Sequence, residues 1–462
     1  MITQKERSMK KDKNLINNRI SRRDFVKAAS AFTAGGFMLG SLPLSASAYA
    51  GASDTLKLAI IGCGNRGTGA VANALDAADG VQLVAMADIY EDRLNNSYNI
   101  LSQRHAGTEK VMVPDENKFI GFDAYKDAIS IADVVILTTP TFWRPLHYEE
   151  AVRQGKHIFM EKPVAVDPAG VRRVLESAKI AKQKNLNVVV GLQRRYSNKY
   201  REIHSRIRDG EIGDVVSGNI YWMEGAFGSV RWEPSWSELE MQIRNQFQFF
   251  WTSGGQVLDQ LIHNIDIANW YVGSHPISAQ GMGGRVEEIT GKDTGQVYDH
   301  NFIEYTYPGG VMVSAQARRQ RNTFTKVAER IVGSKGIAMT QGFADYGIIS
   351  DLNDNVLFDY HGSTETNPYV QEHAELFDAI RNGKTLDNTE RAAHTTMTAI
   401  LGFMATYSGQ TLTWDEALNS DMRFYPDHKF LPEEVNYDTP ALVSKGEDGY
   451  YPVPTPGITQ VV

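Results

Sequence analysis

The chain is nearly devoid of cysteine: Cys63 is the single thiol in 462 residues. One thiol excludes an internal disulfide and any zinc site built from several cysteines, and its place inside a glycine-rich turn asks only for a small side chain. Long apolar runs are also scarce. No 20-residue apolar stretch lies beyond the N-terminus, so no membrane span is expected in the mature protein. No internal repeat is visible. Positive charge runs short once the N-terminus is set aside: without residues 1–48 the chain keeps 38 Lys and Arg against 52 Asp and Glu, a net charge of −14. Such a surface repels phosphate backbones and makes nucleic acid an unfavourable partner.

What is present fits a soluble, multi-domain protein. Hydrophobic residues make up 42% and charged residues 22%, and the length exceeds one ordinary core, which favours two or three domains. The first 27 residues carry nine Lys or Arg against three acids and include the run Ser21-Arg22-Arg23-Asp24-Phe25-Val26-Lys27. An uncharged stretch follows to about residue 44, and then Ala46-Ser47-Ala48 supplies small residues at alternate positions. Residues 1–50 thus resemble a twin-arginine signal peptide, with cleavage expected after Ala48 or Ala50. The resemblance implies a periplasmic or otherwise exported protein that is translocated folded, with its cofactor tightly held. The bland alternatives are an uncleaved amphipathic anchor or a chance basic helix.

Along the mature chain an apolar run, residues 55–61, leads into Gly62-Cys63-Gly64-Asn65-Arg66-Gly67, and residues 70–78 have helical composition. Further buried-type runs occupy residues 81–87, 132–137, 157–160 and 186–190, with helix-length amphipathic segments such as 148–154 and 169–184 between them. This alternation predicts an α/β Rossmann domain with a doubly wound parallel sheet over residues 54–192. From Val215 the strands alternate polar and apolar residues and turn back at Pro308-Gly309-Gly310 and Gly333-Ser334-Lys335-Gly336. That texture predicts an α+β domain with a mostly antiparallel open sheet over residues 193–420. Late helices are expected at 369–381 and 389–407, and residues 421–462, rich in Pro, Gly and Asp, read as an extended tail.

The glycine motif meets three demands together: it follows a strand, opens a helix, and precedes by 21 residues an acid, Asp88, at the end of the next strand. A dinucleotide needs this set, with Gly62, Gly64, Asn65, Arg66 and Gly67 cradling the pyrophosphate at a helix N-terminus and a carboxylate for the ribose hydroxyls. A merely structural turn is the alternative. Asp88 would repel a 2′-phosphate, which favours NAD over NADP, although Arg66 and Arg93 keep NADP open.

The run Glu161-Lys162-Pro163 falls at the carboxyl edge of the sheet. Together with the glycine turn, Thr138-Thr139-Pro140, His147 and Trp414-Asp415-Glu416, it resembles the Gfo/Idh/MocA superfamily of glucose-fructose oxidoreductase and inositol dehydrogenase. The resemblance implies that Lys162 lies beside the nicotinamide and the substrate hydroxyl, with Thr139, Pro140, His147 and Glu161 at the cofactor. Oxidising a secondary alcohol requires a base for the hydroxyl proton and a positive group for the developing alkoxide, a task that suits Lys162. Asp259 and His263, four apart on an expected helix, share a face, so the carboxylate can orient the imidazole. The pair matches the Asp-x-x-x-His of inositol dehydrogenase-like enzymes, which implies His263 as general base and Asp259 as its partner or a ligand of a substrate hydroxyl. A buried structural histidine is the alternative. One Asp and one His without a third close ligand make a poor metal set, and no metal is expected.

Five of the seven tryptophans fall between residues 222 and 270. Trp222 and Trp251 are candidate platforms for a pyranose ring, with Arg194, Arg195 and Tyr196 as hydrogen-bonding partners, set against the reading of the aromatics as core or subunit interface. The segment 224–250 departs from shorter family members and bears on the pocket. The resemblance therefore implies an NAD(P)-dependent oxidoreductase that interconverts an alcohol and a ketone on a sugar, glycoside or cyclic polyol, in a homodimer or homotetramer. Two other readings stay open: a glycosidase that oxidises C3 transiently, eliminates and re-reduces, and a cofactor-bound binding protein without catalysis.

Overall fold

A computed structural model describes residues 55–225, 230–286, 294–343, 346–360, 366–422 and 431–459. The expected signal peptide in residues 1–50 lies outside the described residues.

The first sheet contains β1 (Leu56–Ile61), β2 (Val81–Asp88), β3 (Lys118–Ile120), β4 (Val134–Leu137), β5 (His157–Met160) and β6 (Val188–Val190). Its strands run parallel in the order β3-β2-β1-β4-β5-β6. Strands such as β4 and β6 are buried throughout, because helices cover both faces and leave no side of the sheet for polar residues. Strand order reverses between β1 and β4, and the crevice at their carboxyl ends is where such sheets bind ligands. The helix expected at 148–154 begins earlier, at Arg144, because Pro145 sits in the first turn, where its missing N–H costs nothing.

Among the described residues the second sheet has nine strands. They are β7 (Val215–Glu224), β8 (Ser278–Gly284), β9 (His300–Thr306), β10 (Met312–Arg319), β11 (Lys326–Gly333), β12 (Gly336–Gln341), β13 (Gly347–Asp351), β14 (Val356–Asp359) and β15 (Leu412–Thr413). Their order is β14-β13-β12-β11-β7-β10-β9-β8-β15. Pairing is antiparallel except between β7 and β10, which run parallel. Burial alternates along β9 and β10, as expected of a sheet packed on one face. The connection between them is made at Pro308–Gly310, where Gly309 and Gly310 adopt φ of 76° and 80°, a region that a side chain disfavours.

Helix Ile262–Val272 packs on β7 and β11, and helix Thr389–Ser408 packs on β8, β9 and the first domain's helix Pro168–Gln183. Thr389–Ser408 is buried nearly all round, so it fastens the two sheets into one body. Among the described residues no helix is long and apolar enough to cross a membrane.

Candidate active site

The cofactor cradle begins where β1 ends. Gly62 has φ +97°, and a Cβ there would lie 2.7 Å from the Thr139 amide nitrogen; a Cβ on Gly67 would lie 2.0 Å from the Gly62 carbonyl oxygen. Both positions therefore require glycine for space. At Gly64 the nearest atom to a Cβ would be an Arg93 side-chain nitrogen at 3.6 Å, so this face is open. Gly64 caps the helix Asn65–Ala77 without a side-chain hydrogen bond, and no acid stands in its first turn. Open space over uncapped helical N–H groups, at the positive end of the helix dipole, suits a diphosphate.

Asp88 closes the cradle. Its carboxylate accepts from the backbone N–H of Cys63 at 2.6 Å and of Tyr90 at 2.9 Å. It thereby ties the glycine turn to β2, in addition to the ribose role expected of it. Burial raises its pKa, with those N–H donors and Arg93 pulling the other way. On the far side, Thr138 Oγ1 donates to the Gly62 carbonyl at 2.6 Å, and Pro140 leads into a turn at Thr141–Trp143. His147 is buried behind Thr139, its Nδ1 3.1 Å from Thr139 Oγ1. Burial and then Arg144 depress its pKa to about 3, so the imidazole is neutral.

A cleft of about 370 Å³ opens from this cradle toward the second sheet, lined among others by Arg66, Thr139, Glu161, Lys162, Asp259 and His263. Arg66 Nε pairs with Glu161 at 2.5 Å, and its guanidinium lies over the Tyr369 ring at 5.0 Å. Those partners engage Arg66, one of the two cations that kept NADP open, while Arg93 stands at the open face of Gly64. Lys162 stands at the exit of β5. Its ammonium donates to the backbone carbonyl of Asp259 and lies 3.4 Å from Asp259 Oδ1.

Asp259 sits in a π-helical turn, Val257–Leu261, ahead of helix Ile262–Val272. The expectation of one regular helix with Asp259 against His263 is corrected here: the wider turn alters the facing of residues four apart. Asp259 is held instead by Lys162 and by Arg319, whose Nη2 donates to Oδ2 at 2.8 Å. His263 Nδ1 is buried without a hydrogen-bond partner, and the ring stacks on Trp222 with centroids 5.6 Å apart. Burial, then the charges of Lys162, Arg194 and Arg66, holds its pKa well below the usual range. A neutral imidazole therefore lines the cleft beside an ammonium.

The expected sugar platform is largely dispersed. Trp251 is 0% exposed and donates its indole N–H to Gln242 within a cluster with Phe142 and Trp143. Tyr196 is core, its hydroxyl accepting from Asn388. Arg194 is consumed by a buried ion pair with Glu329, and Arg195 grips Asp266 at 2.7 and 2.9 Å and lines a different cleft, with Arg391 and His394. Charged side chains inside a core need partners, and these two arginines find theirs away from the first cleft. Trp222 reaches the site through His263, on whose ring it stacks, with Arg194 5.5 Å from the centre of the Trp222 ring. Residues unforeseen in the sequence line the cleft: Arg144, Gln193 and Phe247, and Tyr369 from the helix Pro368–Arg381. Arg319 acts from behind Asp259. Phe247, Arg319 and Tyr369 arrive from distant segments, whereas Arg144 and Gln193 stand near residues singled out from the sequence but belong to no motif.

Comparison with known proteins agrees with this geometry. Residues 56–192 match the oxidoreductase family with an NAD-binding Rossmann fold, and residues 200–339 match the GFO/IDH/MocA C-terminal domain. The chain is 25% identical over 333 residues to an inositol 2-dehydrogenase of Rhizobium meliloti, covering 71% of this chain and 90% of that protein. With an inositol 2-dehydrogenase of Burkholderia vietnamiensis it shares 29% identity over 230 residues, 49% of this chain and 57% of that one. The fold is shared with the scyllo-inositol dehydrogenase of Lactobacillus casei, solved with NAD(H) and scyllo-inositol, at TM-score 0.59 and 20% identity over 78% of this chain and all of that one. It is also shared with the aldose-aldose oxidoreductase of Caulobacter crescentus, at TM-score 0.61 and 17% identity over 78% and 99%. The chain thus carries both domains of the Gfo/Idh/MocA oxidoreductases, an NAD-binding Rossmann domain followed by the family's C-terminal domain.

Proposed function

We propose that this protein is an NAD-dependent dehydrogenase that interconverts a secondary alcohol and a ketone on a cyclic polyol, sugar or glycoside. The observation that carries the reading is the convergence of Lys162, Asp259 and a neutral His263 on one cleft that continues from the glycine cradle. The relatives named for inositol support a ring polyol as the substrate class.

NAD, when bound, supplies the hydride acceptor. The rest falls to this chain. His263, whose ring is neutral and lines the cleft, takes the hydroxyl proton. The Lys162 ammonium, fixed by the Asp259 carbonyl and carboxylate, steadies the negative charge that builds on the substrate oxygen. Asp259, itself held by Arg319, offers its carboxylate to a neighbouring hydroxyl. The cleft's polar walls orient the ring, and the buried Trp222 excludes water from the far face of the imidazole.

The test is an absorbance spectrum near 340 nm of the purified protein with NAD while inositols, free sugars and glycosides are titrated in, with products followed by mass. Reduction with loss of two hydrogens from an intact substrate is expected. Cleavage of a glycoside without net reduction, or no response across the panel, would overturn the assignment.

We also infer export by the twin-arginine route, on the charge, apolar stretch and small residues of the N-terminus. Substituting Arg22 and Arg23 by Lys should hold the precursor in the cytoplasm; unchanged processing would contradict it. A dimer or tetramer is inferred from the family resemblance, and a monomer in light scattering would refute that.

A further inference from the structure

The described residues 431–459 contain one 3₁₀ turn and otherwise no regular structure, yet the segment is fastened at two defined points. The Trp143 indole N–H donates to the Pro432 carbonyl at 3.2 Å. Five residues later the Tyr437 hydroxyl donates to the Ile89 carbonyl, and its ring meets Phe122 edge-on, with centroids 4.9 Å apart at 71°. Trp143 belongs to the turn after β4, and Ile89 directly follows Asp88 at the end of β2.

Because β1 lies between β2 and β4, the span from Ile89 to the turn that carries Trp143 takes in the end of β1, where the glycine turn stands, and both anchors share Phe122, whose ring lies 6.0 Å from Trp143. Two strand spacings amount to about 10 Å. Six residues reach up to about 20 Å, so the crossing is made with slack. A dinucleotide occupies the same edge, with pyrophosphate at the helix N-terminus and the adenosine ribose at the acid after β2.

A second arm reaches the same place. In helix Glu238–Arg244, Arg244 grips Asp92 with both terminal nitrogens, at 3.0 and 3.1 Å, and its guanidinium lies 4.0 Å from the centre of the Tyr90 ring. Gln242 in that helix donates to the Val443 carbonyl at 2.6 Å. The two arms hold each other, and both attach within four residues of Asp88.

We propose that residues 431–443, braced by helix Glu238–Arg244, form a clasp over the adenosine half of the NAD site, closed by Tyr437, and that NAD leaves when the clasp lifts. The inference rests on the NAD assignment and adds a retention device to it. Tyr437 suits a latch: it is 53% exposed, so little of the core depends on it, yet it makes one hydrogen bond and one ring contact at the ribose edge. The clasp addresses the adenosine moiety, so nicotinamide mononucleotide would not feel it.

The experiment measures NAD release from the full-length, cofactor-loaded protein by chase with excess unlabelled NAD, and the affinities of stripped protein for NAD and nicotinamide mononucleotide by calorimetry. Tyr437→Ala is expected to speed NAD release about tenfold or more, as lost contacts act mainly on dissociation, while leaving mononucleotide affinity unchanged. Tyr437→Phe, which keeps the ring and removes the hydroxyl bond, should speed it by a few-fold and decides the matter if the alanine variant fails to fold. Equal release from wild type and both folded variants would overturn the clasp and leave the NAD assignment standing. Failure of the wild-type chain to bind NAD would overturn that assignment, and the clasp with it.

Discussion

The ammonium of Lys162 lies 3.4 Å from Oδ1 of Asp259, so the residue that ends the Glu-Lys approach from β5 meets the π-helical turn of the second domain inside the cleft. The contact joins residues 97 positions apart and ties the exit of β5 to the turn that precedes His263. It explains why neither group is spare: Lys162 is fixed by the Asp259 carbonyl and carboxylate, and the Asp259 carboxylate is held between Lys162 and Arg319.

Replacing Lys162 with Ala removes the charge that steadies the alkoxide, and kcat should fall roughly 10²–10³-fold. His263→Ala should cost a comparable factor, roughly 10²–10⁴. NAD affinity, measured by calorimetry, should stay within about threefold in both. A kcat within tenfold of wild type in either variant would remove that residue from the chemistry.

Arg319 donates from behind the site to Asp259 at 2.8 Å and to Gln260 Oε1 at 2.7 Å. Arg319→Met should therefore act through Asp259. We expect KM for substrate to rise and kcat to fall together by about 10–100-fold, with NAD binding preserved. A variant that loses only thermal stability would show Arg319 to be structural.

Trp251 is fully buried and bonded to Gln242, unlike a surface that meets substrate. Trp251→Ala should cost about 3–5 kcal/mol of stability, the range for truncating a buried large aromatic. A drop in substrate affinity at unchanged unfolding midpoint would restore the platform role rejected above.

Acid should unfold this protein early. His147 and His373 are fully buried and pushed down to about 3 by burial, followed by nearby arginines, and His263 is lowered as well. Below about pH 6.5 the unfolded chain takes up protons that these histidines refuse in the fold, so stability falls as pH falls. The loss continues toward about pH 3, where the native residues would charge. Thermal midpoints taken from pH 8 down to 4.5 should decline below 6.5. A flat profile would mean that these rings are protonated within the fold.

Much of the architecture was legible because it depends on local rules. The spacing of Gly62, Gly64 and Gly67, and the acid at the end of the next strand, follow from steric needs of a single turn. Alternating short apolar runs and amphipathic segments reveal a parallel sheet, and the change to two-residue periodicity after Val215 reveals the second. The parallel pairing of β7 with β10 was not legible, since it joins strands almost a hundred residues apart.

The same divide runs through the site. The sequence by itself determined the cradle, the lysine after β5 and the kinds of residue that handle a proton and an alkoxide, because those are set by short motifs. Only the tertiary structure decided which charges are available. Arg194 and Arg195 look identical to the arginines of a binding site until Glu329 and Asp266 are seen to neutralise them, while Arg319 and Tyr369 acquire their places from segments more than fifty residues away. A buried charge is governed by whichever partner the fold brings within about 4 Å, and that partner is rarely a neighbour in the chain.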